Sequence, residues 1–321
     1  MALVSIVVPV YYNAASLPAL AARLAAFAES QPTHHFEFVY VDDGSGDNSF
    51  DVLRGLADGD ARVRVVKLAR NFGSNTAILA GMTYATGDCV AFIAADLQDP
   101  PETLAKMLHS WETGTKVVLA ARRDRHGDPW ATRLFANLFN WLFKKLVFNG
   151  FSPQGIGFFL VDRQVVNLLV RCNEKNAHLI GLILWSGYRC EVVEYDRVER
   201  EHGTSRWTFR KKLKYLIDAF AAFSYLPLRL ASALGLVLAA VGGLYAVVVA
   251  AVRLLNEVPV PGWSALMVVV LLTSGAQLLI LGVLGEYLWR NLDATRTRPL
   301  FIVDTVYGPD SRPEELKGDR P

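Results

Sequence analysis

Hydrophobic residues in the first 120 positions occur in short runs rich in β-branched side chains, separated by segments with helical periodicity. Each apolar run predicts a buried strand, and the runs are SIVVPV (5–10), FEFVYV (36–41), VRVVKL (63–68), CVAFIA (89–94) and KVVLAA (116–121). The segments between them, 16–29, 47–56, 75–85 and 101–112, predict helices. Strict alternation of strand and helix predicts an α/β domain with a mostly parallel sheet that is covered on both faces.

The C-terminal part has a different pattern, because residues 230–252 and 263–285 are two long apolar runs without a charged side chain. A helix of either length reaches about 35 Å, enough to cross the hydrocarbon core of a bilayer. A pair of buried core helices is the alternative. Glu286 follows the second run directly, where a carboxylate is usually paired or functional.

Basic residues flank this pair on its outer sides: Lys211, Lys212, Lys214 and Arg229 before it, and Arg290, Arg296 and Arg298 after it. By the positive-inside rule the two runs form a transmembrane hairpin with both of its ends in the cytoplasm. The predicted organisation is a cytoplasmic domain at 1–204, an amphipathic juxtamembrane helix at 205–228, the two spans within 229–289, and a cytoplasmic tail at 290–321.

Polar clusters follow three of the predicted strands: Tyr11-Tyr12-Asn13, Asp42-Asp43-Gly44-Ser45 and Asp96-Leu97-Gln98-Asp99. In open α/β sheets ligands bind beyond the carboxyl ends of the strands. Asp96 and Gln98 are two residues apart on a segment predicted to be extended, so their oxygens can point the same way. Such oxygens suit Mg²⁺ or Mn²⁺.

Simpler interpretations of these clusters remain open. Asp47 and Asp99 are suited to cap the helices that follow them, with Pro100 or Pro101 in the first turn of the second helix. Asp42 and Asp43 are typical turn residues beside a glycine.

Composition narrows the function classes only slightly. The chain has 321 residues, of which 52% are hydrophobic, and a formal net charge of +2 that gives no argument for nucleic acid as a partner. Three scattered cysteines lack metal-ligand spacing, and neither a glycine-rich dinucleotide fingerprint nor a P-loop motif is present. Phosphates therefore need another means of binding, and a divalent cation on carboxylates is the expected one.

The clusters resemble, in order, the motifs of family-2 glycosyltransferases with the GT-A fold. The matching segments are VSIVVPVYYNAASL, VYVDDGSGDNS, LARNFGSNTAILAGMTYATGD and AADLQDPPE. The region from Gly181 to Arg229 and the segment GAQLLILGVLGEYLWRNLDATRTRPLFIV are similar to the polyprenyl-phosphate glycosyltransferases within that family. These include bactoprenol glucosyltransferases, the undecaprenyl-phosphate aminoarabinose transferase and dolichyl-phosphate mannose synthases.

This resemblance implies a GT-A (Rossmann-like, mostly parallel) catalytic domain followed by interfacial helices and the transmembrane hairpin. It implies inverting transfer of one sugar from a nucleotide-sugar donor, UDP-glucose by preference, to polyprenyl (undecaprenyl) phosphate. The place is the cytoplasmic face of the bacterial inner membrane, for cell-envelope glycosylation. The lipid bilayer is a partner, a flippase and a second copy of the chain are further candidates, and no nucleic acid is expected.

The resemblance also assigns residues. The nucleotide site comprises Pro9, Tyr11, Asp42, Asp43 and Asp96, and the Mg²⁺ or Mn²⁺ ligands are Asp96 and Gln98. The catalytic residues are Asp96, Arg122 and Arg200. The phosphate of the lipid acceptor is assigned to Arg125, Arg200, Ser205 and Arg206. Residues 130–148 and 207–225 have amphipathic patterns suited to a helix lying in the membrane interface, and for 130–148 a helix packed on the sheet is equally open.

The sequence departs from the family pattern at three positions. Ala94 stands where many relatives have the first Asp of the metal motif, Ala14 replaces a frequent Glu, and Gly157 stands where relatives often carry an Asp. These departures keep a non-catalytic nucleotide-binding membrane protein open as an alternative. A processive polysaccharide synthase is a weaker one, because the Gln of its Q-x-x-R-W motif is Gly203 here.

Overall fold

The computed structural model describes residues 1–123, 156–172, 174, 179–198, 226–255 and 262–308. The chain divides into two compact units, one formed by Met1–Lys214 with Arg298–Pro321 and the other by Tyr215–Thr297. The predicted interfacial helices at 130–148 and 207–225 lie outside the described residues.

The first unit contains alternating strands and helices, as the apolar runs predict. In chain order they are β1 (Ala2–Val10), α1 (Leu17–Glu29), β2 (His34–Asp42), α2 (Ser49–Gly59), β3 (Val63–Leu68), α3 (Ser74–Tyr84), β4 (Cys89–Phe92), α4 (Thr103–Glu112) and β5 (Val117–Arg122). Then follow β6 (Ile156–Asp162), α5 (Arg163–Arg171), α6 (Leu179–Trp185) and β7 (Cys190–Tyr195). All five predicted strands and four predicted helices are present.

The eight strands of this unit form one sheet in the order β7-β5-β6-β4-β1-β2-β3-β8, where β8 is Val303–Tyr307. The pairs β1–β2, β1–β4, β2–β3 and β5–β7 are parallel, while β6 and β8 run antiparallel to their neighbours. The chain proceeds from β1 toward β3 on one side and then crosses to β4 on the other. The switch point, where α/β sheets bind their ligands, therefore lies beside β1.

The hydrophobic core lies on both faces of the sheet, because successive strand residues point to opposite faces. Ile6, Val8 and Val10 of β1 pack with Leu17, Leu20 and Leu24 of α1 and with Phe158 of β6, and all are completely buried. On the opposite face α3 packs against β1 and β2. Its Gly81 allows this close approach, since a Cβ there would lie 2.3 Å from a methyl group of Val7. Both faces are thus covered, as a mostly parallel sheet requires.

Strand β8 comes from the segment that the sequence assigns to a tail. It pairs antiparallel with β3, for example Val306 with Val66 and Thr305 with Lys67. Tyr307 donates a hydrogen bond to Asp58 of α2 at 2.5 Å. The chain after the apolar runs therefore returns to the same sheet that contains its N-terminus.

The second unit contains two long helices, α7 (Leu226–Leu255) and α8 (Trp263–Thr295), which cover both predicted spans. Segments of both are long and apolar enough to cross a membrane, Leu228–Val248 with mean hydropathy 2.1 and Val268–Thr295 with 2.2. Gly235 faces Ile280, whose Cδ1 lies 3.8 Å from the position of a Cβ on that glycine. Glu286 forms an ion pair with Arg290 one turn later, at 2.7 Å, so this carboxylate is paired.

Candidate functional site

The candidate site lies where the carboxyl ends of β1, β2 and β4 meet. Val10 pairs with Asp42 at the ends of β1 and β2, and the Asp43 amide donates to the Val10 carbonyl at 2.9 Å. The loop after β4 is fixed to the start of α1, because the Ser16 hydroxyl donates to the Ala95 carbonyl at 2.7 Å. The structure thus brings three of the polar clusters found in the sequence to one edge.

Asp42 and Asp43 are both buried but have different partners. One Asp42 oxygen, Oδ1, accepts the Ser45 amide at 3.2 Å, whereas Oδ2 is buried and accepts no hydrogen bond from the described residues. Both oxygens of Asp43 are engaged, by the amides of Phe72 at 2.7 Å and Gly73 at 2.9 Å. Burial raises the pKa of each carboxyl, and the hydrogen bonds offset part of that rise. Asp43 therefore organises the loop before α3, and Asp42 retains an acceptor for a ligand.

The DDGS turn requires its glycine. Gly44 has φ +68°, and a Cβ there would lie 2.5 Å from the backbone carbon of Arg70. Across this turn the Tyr12 amide donates to the Ser45 hydroxyl at 3.0 Å. Tyr11 and Tyr12 stack edge to face with centroids 4.7 Å apart, and both are partly exposed. Gly44 and Ser45 thus shape the turn, while the partly exposed rings of Tyr11 and Tyr12 lie where a ligand could contact them.

The loop after β4 differs from the extended conformation predicted for it. Strand β4 ends at Phe92, and Leu97 has φ +61°, a left-handed conformation that is strained for a side chain of this size. Gln98 and Asp96 are joined within the turn by the Gln98 amide, which donates to Asp96 Oδ1 at 3.3 Å. The side chains of Asp96 and Gln98 still converge, as their common contact with Arg197 shows. The convergence comes from a tight turn around the buried Leu97 instead of strand pleating.

Arg197, which follows β7, lies against the loop after β4 and was not singled out by the sequence. Its Nη2 donates to Gln98 Oε1 and lies 3.9 Å from Asp96 Oδ2. The segment that carries it runs beside the loop, since the Val198 amide donates to the Gln98 carbonyl at 3.1 Å. Burial and the nearby charge of Arg122 lower the pKa of Arg197, although a guanidinium stays protonated at neutral pH.

Asp99 does not cap α4 as the sequence suggests. That helix begins at Thr103 with Glu102 at its N-cap and no capping side chain. Asp99 is 3% exposed and accepts a hydrogen bond from the Tyr195 hydroxyl at 2.7 Å. Burial raises the pKa of Asp99, and the bond from Tyr195 lowers it in part. A tertiary contact to β7 thus replaces the local cap. Asp47 precedes Asn48, which is the N-cap of α2, and its carboxylate accepts the amide of Ser49, the first residue of that helix, at 3.2 Å.

Gly157 lies directly beneath this hydrogen bond. A Cβ at this position would be 1.8 Å from the Tyr195 hydroxyl oxygen and 3.1 Å from Asp99 Oδ1. The Tyr195 hydroxyl therefore occupies the space where a side chain at 157 would begin. An aspartate at position 157 would therefore clash with Tyr195 in this structure.

The remaining predicted residues divide into two groups. Arg122 ends β5, pairs in register with Tyr195, and has a buried Nε that makes no hydrogen bond to the described residues. Pro9 lies next to the end of β1, opposite Val41. Arg125, Arg200, Ser205 and Arg206 lie outside the described residues. Among the residues that are described, no three His, Cys, Asp or Glu side chains form a metal-binding group.

Comparisons with known proteins agree with this architecture. The family model for glycosyl transferase family 2 matches residues 5–166. An uncharacterized glycosyltransferase of Bacillus subtilis, YkcC, is 39% identical over 308 residues, which cover 96% of this chain and 95% of the relative. The bactoprenol glucosyl transferase of Shigella phage SfX is 33% identical over 300 residues, 94% of this chain and 98% of the relative.

A solved structure shares the fold. The mannosyltransferase PcManGT from Pyrobaculum calidifontis, in complex with GDP-Man and Mn²⁺, aligns with a TM-score of 0.50 at 19% identity, covering 90% of this chain and 87% of that one. The likeness supports the GT-A architecture that the sheet order displays. With the family model and the full-length relatives, it leads to one conclusion: the chain belongs to glycosyl transferase family 2 and is a glycosyltransferase.

Proposed function

We propose that this enzyme transfers a single sugar, with inversion, from a nucleotide-sugar donor to polyprenyl phosphate at the cytoplasmic face of a bacterial inner membrane, and that UDP-glucose is the donor. One observation carries the proposal. Asp96, Gln98 and Arg122 all lie close to Arg197 at the candidate ligand-binding edge, and the same chain contains two long apolar helices. Several relatives named as bactoprenol glucosyl transferases, 33–34% identical over 94% of the chain, support the same acceptor and sugar.

The donor nucleotide occupies the edge formed by β1 and β2 in this proposal. Asp42 Oδ2 is a buried acceptor without a partner among the described residues, so a donor group of the nucleotide would satisfy it. Tyr11 and Pro9 flank the same edge, and Tyr11 has an exposed ring that can cover a base or ribose. Asp43 contributes indirectly, by holding the loop before α3.

The residues at the end of β4 fit a divalent cation such as Mg²⁺ or Mn²⁺. Asp96 and Gln98 offer one carboxylate and one amide oxygen, the hard donors such ions prefer, and both converge on a point where the structure stabilises a guanidinium. With Ala94 in place of the first Asp, the rest of the coordination shell would come from diphosphate oxygens and water. When bound, the ion would neutralise the departing diphosphate.

The acceptor needs no general base in this reaction. A phosphate monoester is largely a dianion at neutral pH, so its oxygen can attack the anomeric carbon as the bond to the nucleoside diphosphate breaks. Asp99 is buried under Tyr195, and position 157 has no carboxylate. In this proposal the chain aligns the reacting groups and supplies positive charge. Arg122 contributes as a phosphate-contacting catalytic residue, and the lipid phosphate is held by Arg125, Arg200, Ser205 and Arg206.

The topology of the helix pair supports membrane insertion as a hairpin. The chain leaves the first unit before α7 and returns to it after α8, where β8 pairs with β3. Both ends of the pair are thereby connected to the same folded unit, as a hairpin requires. The basic residues that flank the pair favour the cytoplasmic side for that unit.

The test is a donor panel with the full-length protein in detergent, measuring nucleotide release with and without undecaprenyl phosphate and Mn²⁺ or Mg²⁺. We expect release that requires the lipid, the metal and one donor, UDP-glucose. Release with a different donor would correct the sugar. Binding of nucleotide sugar without lipid-dependent release would favour the non-catalytic alternative, which the departures at Ala94 and Gly157 motivate.

A further inference from the structure

Arg197 occupies a position that the proposed chemistry requires for a metal ion. Its Nη2 contacts both of the candidate ligands, donating to Gln98 Oε1 and lying 3.9 Å from Asp96 Oδ2. Because the guanidinium is positively charged and lies against both oxygens, it repels a divalent cation that would bind the same two oxygens. Arg197 and the metal are therefore competitors for one site.

The backbone fixes Arg197 in this position. Residues 195–198 are joined to the loop after β4 by hydrogen bonds on both sides of Arg197. The Tyr195 hydroxyl donates to Asp99 at 2.7 Å, and the Val198 amide donates to the Gln98 carbonyl at 3.1 Å. The Gln98 side-chain amide also donates to the Val198 carbonyl, at 3.4 Å. The backbone that carries Arg197 is thus held beside the loop after β4.

The guanidinium is held only moderately strongly, so an anion can compete for it. Its side chain is 31% exposed, and the Asp96 side chain is 17% exposed. Arg122 lies close enough for its charge to lower the pKa of Arg197, so two like charges face the same region. A diphosphate beside them would relieve that repulsion and attract the guanidinium, since arginine pairs well with phosphate oxygens.

From these contacts we propose that Arg197 couples metal binding to donor binding. The diphosphate of the donor draws the guanidinium away from Asp96 and Gln98, and Arg197 then no longer competes with the metal for these two oxygens. The inference rests on the proposed nucleotide-sugar site and adds that binding of the donor diphosphate favours binding of the metal. Because such coupling is reciprocal, the metal in turn strengthens the hold on the diphosphate.

This role predicts opposite effects on two ligands. In Arg197→Gln, Mn²⁺ alone should bind about tenfold more tightly, the size of effect expected when one charge-assisted contact stops competing. UDP without metal should bind several-fold more weakly, because it loses a guanidinium partner. A residue that only supports the fold would weaken both ligands, so the crossed signs distinguish the two roles.

The experiment measures Mn²⁺ binding by electron paramagnetic resonance and UDP binding by calorimetry, with the full-length protein in detergent. Arg197→Lys keeps the charge and should stay close to the wild type for Mn²⁺. Arg123→Gln is the matched control, since Arg123 pairs with Glu194 and Asp196 at 3.6 and 3.3 Å instead of with Asp96 or Gln98. Asp96→Asn should lose most Mn²⁺ binding.

Unchanged or weaker Mn²⁺ binding in Arg197→Gln, with binding still lost in Asp96→Asn, would overturn the inference and leave the metal site in place. Binding of Mn²⁺ to none of the proteins, with or without UDP, would overturn the metal site itself and the coupling with it. Tighter Mn²⁺ binding in Arg197→Gln and an unchanged Arg123→Gln would support Arg197 as the coupling residue.

Discussion

A methyl group added at Gly157 tests the tightest contact of the site. In Gly157→Ala the new Cβ would be 1.8 Å from the Tyr195 hydroxyl oxygen and 2.9 Å from Cζ of the ring, far inside van der Waals contact. Tyr195 would have to retreat by more than an ångström. It would then lose its 2.7 Å hydrogen bond to Asp99, a carboxyl that is 3% exposed.

The size of the effect follows from these two losses. Overpacking a buried site costs about 1–3 kcal/mol, and leaving a buried acceptor without its donor costs about 1–3 kcal/mol more. We therefore expect Gly157→Ala to lower the free energy of unfolding by about 2–6 kcal/mol. At about 2–4 °C per kcal/mol for a domain of this size, the unfolding midpoint should fall by roughly 4–24 °C.

The assay is thermal unfolding of the full-length protein in detergent, followed by tryptophan fluorescence. Gly55→Ala is the matched control, because a Cβ at this exposed position in α2 meets nothing within 4 Å. It should be neutral or stabilise the protein by up to about 1 kcal/mol, from helix propensity.

A double-mutant cycle isolates the contact. Tyr195→Phe removes the hydroxyl that the new methyl group would meet, so the double variant should be more stable than the sum of the single effects predicts, by about 1 kcal/mol or more. Strict additivity, or a Gly157→Ala midpoint equal to that of Gly55→Ala, would refute the assignment of the Tyr195 hydroxyl to this space. The same clash means that Gly157→Asp should lower activity instead of supplying a missing base.

Other consequences can be measured separately. Asp42→Asn should weaken nucleotide binding about tenfold in calorimetry, since it removes charge from a buried acceptor, Oδ2, that has no partner among the described residues; unchanged affinity would remove Asp42 from the site. Asp162 accepts hydrogen bonds from the Gln164 amide and from Trp111 Nε1, and it also pairs with Lys116. Burial alone would raise the pKa of this carboxyl, but these three interactions outweigh it and hold the pKa below its usual value. Asp162→Asn should therefore lower the free energy of unfolding by about 1–2 kcal/mol at neutral pH, and this difference should shrink as the pH falls below about 4. A difference in denaturant unfolding that does not depend on pH would contradict this prediction. Thr305→Pro should lower the unfolding midpoint by disrupting the β8–β3 pairing, and a midpoint equal to that of the wild type would show that β8 contributes little.

The strands with continuous apolar runs could be predicted, because burial on both faces leaves a clear pattern in the sequence. Residues 5–10, 36–41 and 63–68 fall within β1, β2 and β3. Strand β8 could not be predicted so easily. It is a partly exposed edge strand of five residues, and its partner β3 lies more than 230 positions earlier in the chain.

The structure brings the side chains of Asp96 and Gln98 together, but in a geometry that the sequence did not predict. Asp96 and Gln98 do converge, yet through a left-handed turn at Leu97 that the apolar pattern does not reveal. Asp99 has the position of a helix cap but bonds to Tyr195, 96 residues away. Sequence patterns can identify an aspartate that precedes a helix as a candidate cap. They cannot identify a hydrogen-bond partner that lies on a distant strand.

The two residues that the sequence missed share one origin. Tyr195 and Arg197 are carried by the end of β7, which pairs in parallel with β5 and so reaches the edge where β4 ends. Their signal in the sequence is the short segment EYDRV, an aromatic and an arginine directly after an alternating strand. That signal becomes informative only when the strand order is known.

The most direct test of the account is mass spectrometry of the lipid fraction after the full-length protein is incubated with UDP-glucose, undecaprenyl phosphate and Mn²⁺. The account predicts a hexosyl undecaprenyl phosphate that forms with the wild type and disappears on chelation of the metal or in Asp96→Asn. Nucleotide binding with no glycosylated lipid from any donor would contradict it. A lipid product whose yield is unaffected by chelation and by Asp96→Asn would contradict the role given to the loop after β4.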